Sequence, residues 1–94
     1  MPLEDNQTAT MRNLVYAAEE FLQPVKNFNF IISDRFLSEY QKMTYTLQTA
    51  FTNYCHYREK LPTDIWEHFI GKVMPLLNEV DNQIQYLTGK KSKH

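Results

Sequence analysis

The chain's means of doing chemistry are three histidines, a single cysteine and eleven acidic residues, and spacing decides what they can do together. Helical carboxylate metal centres are built from Glu-x-x-His pairs, which project a carboxylate and an imidazole from one helix face. No Glu-x-x-His occurs here. Glu67 and His68 are adjacent, so on a helix they diverge by about 100° and cannot grip one ion together. His56 falls among polar positions and His94 ends the sequence. All three histidines read as solvated surface groups, and neither a metal site nor a cofactor is expected.

Covalent catalysis needs a nucleophile beside a base that a third group orients. Cys55 and His56 are sequence neighbours and diverge for the same geometric reason, so Cys55 reads as a small, partly buried packing residue. One cysteine excludes an internal disulfide and a thiolate zinc cage. Gly71 and Gly89, the only glycines, are too few for a phosphate-cradling loop. No catalytic residue is assigned, and the chain is not expected to be an enzyme.

The elements that position the remaining side chains are helices. Ninety-four residues with 43% hydrophobic content suit one domain spanning 1–94, with flexible ends at 1–7 and 89–94. Two glycines and four prolines supply too few turn signals for a sandwich or barrel. Met11, Leu14, Ala18, Phe21, Val25, Phe28 and Ile32 alternate spacings of three and four, which keeps them on one face and predicts a helix over about 8–31 capped by Thr8 or Thr10. Pro24 lies inside it. Because the stripe keeps phase across the proline, a kinked helix is preferred. The rival is a break at Gln23, which makes Asn27, Phe28, Asn29 and Phe30 irregular and gives a four-helix arrangement.

Ser33 reads as the cap of a second helix over about 34–60. Its polar positions Arg35, Glu39, Lys42, Thr46, Thr49, Asn53, His56 and Lys60 form one solvent-facing stripe. Opposite them Phe36, Leu37, Tyr40, Met43, Leu47, Ala50, Phe51, Tyr54, Tyr57 and Leu61 make a face broad enough for two neighbours. Pro62 ends this pattern, and a third helix is predicted over about 63–88 with Thr63 as N-cap and Gly89 as C-cap. Trp66, Ile70, Val73, Leu77, Val80, Ile84 and Leu87 form its stripe. Gly71 and Pro75 mark a kink in it, at the same height as Pro24. The expected fold is all-α: an up-down-up, antiparallel three-helix bundle kinked at Pro24 and Pro75. These stripes alone bury too little to offset the entropy of ordering the chain. Val15, Leu22, Ile31, Ile65, Phe69, Met74 and Leu76 must therefore contribute, or a homo-oligomer must.

A formal net charge of −1 disfavours nucleic-acid binding by the chain as a whole. The basic cluster is the tail, Lys90, Lys91 and Lys93. The N-terminus lacks the basic and apolar regions of a signal peptide, and no apolar run reaches the ~18 residues of a membrane span. The cytoplasm is the expected compartment, without membrane contact. Thirteen aromatic side chains exceed what the stripes hold, and Tyr16, Phe30, Tyr45 and Tyr57 are candidates for a partner surface. The expected function is a non-enzymatic helical protein that binds another protein, as a regulator, inhibitor, immunity-type protein or small subunit. The alternative is an accessory nucleic-acid or nucleoid factor using the tail and the Arg35, Lys42 and Lys60 stripe.

Overall fold

Helix α1 spans Asn6–Leu22, and its start is set by Asp5, whose carboxylate accepts the Thr8 backbone N–H at 2.7 Å. The structure, a computed structural model, describes residues 4–92, with side chains through residue 87. Thr8 and Thr10 are not the cap. Thr8 is buried, and its hydroxyl meets the Tyr54 hydroxyl at 2.7 Å. Asp is a better cap than Thr, which leaves Thr8 free to serve a contact inside the helix.

α1 does not continue to residue 31. Its α-turns end at Leu22, and a 3₁₀ turn, Gln23–Lys26, carries Pro24 in its first positions. A proline at a helix start gives up an N–H that would be unpaired anyway, whereas inside a helix it loses a bond and presses on the carbonyl four residues back. The chain therefore restarts at Pro24 and then turns away. Asn27 adopts extended geometry, and the Phe30 N–H donates to the Asn27 carbonyl at 3.0 Å. The break, not the kink, is what Pro24 produces.

Helix α2, Asp34–Arg58, opens on Ser33, whose hydroxyl accepts the Phe36 N–H at 3.0 Å. Every residue of its polar stripe is exposed, from Arg35 to Lys60. The helix closes at Glu59, which has φ 68° and ψ −48°. The Lys60 N–H donates to the Arg58 carbonyl at 2.6 Å, so Glu59 is the centre of a γ-turn, a strained corner for a side chain with a Cβ.

The third rod is helix α3, Thr63–His68, a π turn, Phe69–Val73, and helix α4, Met74–Ser92. Its cap position is Pro62, one residue before the expected Thr63, because the Trp66 N–H already donates to the Pro62 carbonyl at 3.0 Å. The rod passes Gly89, so that glycine is no C-cap. Parts of both ends expected to be flexible are helical, since α1 starts at Asn6 and α4 reaches Ser92.

The third rod contains a π turn and buries a side other than the expected one. The Met74 N–H bonds the Phe69 carbonyl, five residues back, so the turn takes in one extra residue just before Pro75. That extra residue shifts the phase of everything N-terminal to it. Ile65, Phe69, Val73, Leu76 and Val80 are the buried positions, while Trp66, Ile70, Met74 and Leu87 of the expected stripe and its flank are exposed.

α1 is the central helix, touching α2 on one side and the third rod on the other. Paired contacts give the directions. Asp5 meets Arg58 and Phe21 stacks on Phe36, so α2 runs against α1; Arg12 meets Asp64 and Glu19 meets His68, so the third rod runs with α1. Among the described residues the α2 backbone does not pack closely on the third rod. Side chains span that gap: the Tyr40 hydroxyl donates to Asp81 at 3.0 Å, and Phe51 packs edge-on against Phe69 with ring centroids 4.9 Å apart. Burial, and then the bond to Asp81, push the Tyr40 phenol pKa upward. The core is Met11, Val15, Ala18 and Leu22 of α1 against Tyr40, Leu47 and Tyr54 of α2 and the buried positions of the third rod. The described residues form helices and no strand, and no helix among them is long and apolar enough to cross a membrane.

Candidate functional site

The chemistry-bearing residues come first. His68 is not a solvated histidine. Its Nε2 lies 2.6 Å from Glu19 Oε1, and Tyr16 packs edge-on against its ring with centroids 4.4 Å apart. The group clamps α1 to α3, with both partners mostly shielded from solvent. Cys55 is exposed rather than partly buried, because it sits toward the edge of the α2 face that the third rod leaves uncovered. His56 is exposed. Among the described residues no three His, Cys, Asp or Glu side chains are grouped to hold a metal ion.

Of the four aromatics expected at a partner surface, the structure uses two partly inside the fold. Phe30 is packed against the core and meets the Phe36 ring edge-on, 5.0 Å between centroids. The break at Pro24 folds it under the end of the bundle, where Phe36 also stacks on Phe21 and Tyr40. Tyr16 is half-exposed against His68, and Tyr57 is half-exposed with the Arg58 guanidinium 5.2 Å from its ring centroid. Tyr45 is fully on the surface, 72% exposed, on the outer side of α2. The four do not converge on one patch.

A different pair of side chains is more exposed than any of these four. The irregular segment 27–33 carries Phe28, 100% exposed, and Ile31, 82% exposed. Ile31 lines a groove of ≈ 510 Å³ with Phe30, Ile32, Tyr86, Leu87 and the polar Glu79, Asn82 and Gln83. Tyr86 and Leu87, on the α4 wall, are themselves exposed. No family model, curated protein or solved structure matches the chain. The site is read from its own chemistry: an aromatic and an aliphatic side chain stand in water on one segment, and Ile31 borders an open apolar groove with a polar rim.

The sequence points to burial of Phe28 because the helical stripe runs through it in phase, and of Ile31 as an apolar group flanking that stripe. The signal that points the other way is local: Pro24 followed by Asn27 and Asn29, residues that favour turns. Of the basic groups, Arg35, Lys42 and Lys60 are exposed along α2, with exposed Glu39 between the first two. The side chains of Lys90 and Lys91, and Lys93 and His94 entirely, lie outside the described residues.

Proposed function

We propose that this chain is a non-enzymatic protein-binding module, a three-helix bundle bent near the π turn, that engages a protein partner through Phe28, Ile31 and the groove beside them. The observation that supports this reading is the complete exposure of Phe28 beside the 82% exposure of Ile31. Leaving two such side chains in water forgoes ~1.5–3 kcal/mol each relative to burial. A partner that covers them recovers that free energy. The groove supplies a shape to complement, and Glu79, Asn82 and Gln83 on its rim supply hydrogen bonds that orient the partner. Anchors on a connecting segment can also settle into a partner without disturbing the core.

Affinity capture from its source cells tests this reading. A stoichiometric protein retained by the wild type and by Tyr45→Ser, but lost with Phe28→Ser/Ile31→Ser, supports it. Equal retention by the double variant, or no partner other than the chain itself, contradicts it.

A further inference from the structure

The start of the third rod carries two apolar pairs offset by one residue. Ile65 and Phe69 are buried, 1% and 8% exposed, whereas Trp66 and Ile70 are 49% and 41% exposed. Each pair is one isoleucine and one aromatic residue four positions apart. The π turn takes in one extra residue between them and α4, with the Met74 N–H bonded to the Phe69 carbonyl. In a regular helix, without that extra residue, each position N-terminal to the turn yields its place to the next one. Trp66 then stands where Ile65 now stands relative to α4, and Ile70 stands where Phe69 does.

Pro75 gives the extra residue its reason. Its nitrogen has no hydrogen to donate, and in a regular helix its ring presses on the Gly71 carbonyl four residues back. A wide turn ending just before Pro75 carries that carbonyl away from the ring. Two contacts with α1 then fit the register: Arg12 pairs with Asp64, and His68 Nε2 lies 2.6 Å from Glu19 Oε1. In the other register Ile65 and Phe69 face Arg12 and Glu19, and neither contact forms.

We propose that α3 is a register switch, able to seat either apolar pair on the core, with Pro75 and the contacts to α1 selecting Ile65 and Phe69. The change turns α3 by about 100° and moves it about 1.5 Å along its axis. Trp66 has little distance to cover, since its ring stacks beside Phe69 with centroids 6.1 Å apart. The non-helical residues 59–62 give slack at one end of α3. At the other end a Cβ added to Gly71 meets nothing within 4 Å, so no neighbour blocks the turn as it narrows. The two registers trade apolar burial against polar contact. Switching withdraws Trp66 and Ile70 from water, brings Glu67 and Gly71 to their places, and frees Arg12 and Glu19 on α1.

Pro75→Ala tests the proposal by removing the ring that the wide turn accommodates. Trp66 is the chain's single tryptophan, so its emission reports on α3. The expected result is emission at shorter wavelength, weaker acrylamide quenching, and loss of the nuclear Overhauser contact between the Tyr16 and His68 rings, whose centroids are 4.4 Å apart in the present register. Should Pro75→Ala fail to fold, Glu19→Ala/His68→Ala, which removes the clamp and keeps the proline, is expected to shift emission the same way. A folded Pro75→Ala protein with unchanged emission and the ring contact retained would overturn the proposal. So would emission at longer wavelength, the mark of an α3 that has come loose, or failure of both variants to fold, which would leave α3 a single seat.

Discussion

The hydroxyl groups of Thr8 and Tyr54 lie 2.7 Å apart, both side chains buried, and tie the first turns of α1 to the last turns of α2. Each satisfies the other in a place with little water. Removing one hydroxyl should cost more than removing both, because a lone buried hydroxyl keeps its desolvation penalty. Tyr54→Phe is expected to destabilise by about 1–3 kcal/mol, and Thr8→Val/Tyr54→Phe by less than the two single changes combined. A urea-unfolding double-mutant cycle reads this directly, and strict additivity would show that the pair is not coupled.

The γ-turn at Glu59 predicts a gain. A residue with φ 68° and ψ −48° is strained when it carries a Cβ, and glycine is not. Glu59→Gly should stabilise the protein by about 1 kcal/mol, seen as a higher urea midpoint at unchanged slope. An unchanged or lower midpoint would mean that the corner relaxes without strain.

Gly71 predicts another. It sits in the π turn at negative φ, and a Cβ added there meets nothing within 4 Å. Gly71→Ala should therefore remove backbone entropy from the unfolded chain at no steric cost and stabilise by ~0.5–1 kcal/mol. Thermal unfolding checks it.

Acid should loosen the end of the bundle where α1, α2 and α3 meet. The Thr8 backbone N–H, followed by the Thr8 and Arg58 side-chain contacts, holds the Asp5 carboxyl below its ordinary pKa, and the Arg12 guanidinium does the same for Asp64. A lowered folded-state value means that the folded protein favours the ionised form. The stabilisation is complete above the unfolded-state value of 3.8 and is lost as pH falls through the folded one. The melting temperature should fall below pH 4, and Asp5→Asn/Asp64→Asn should be less stable at neutral pH with a shallower acid decline. An identical acid profile in the double variant would refute this assignment.

α2 was legible in the sequence because one unbroken period governs it. The residues of the polar stripe, Arg35, Glu39, Lys42, Thr46, Thr49, Asn53, His56 and Lys60, are all exposed, and Ser33 caps the helix. The third rod was legible only in part. Against Val73 and Val80, which are buried either way, Trp66 and Ile70 fit a regular 3.6-residue period no better than Ile65 and Phe69 do, so the period alone does not choose the buried pair.

The site was harder to see than the fold. Phe28 and Ile31 have core-like side chains, and what exposes them is the backbone leaving the helix at Pro24. The Glu19 and His68 clamp joins residues 49 apart, a pairing that no local spacing encodes. Tyr45 stands out from α2 alone, without neighbours that would make it part of a patch.

The central claim is that Phe28 and Ile31 are recognition anchors rather than structural residues. The affinity of the captured partner for the wild type and for Phe28→Ser/Ile31→Ser, with both melting temperatures measured alongside, tests it most directly. The account predicts at least a hundredfold weaker binding, or about 2.7 kcal/mol, with melting unchanged within a few degrees. Equal affinity, or a large loss of stability in the double variant, would contradict it.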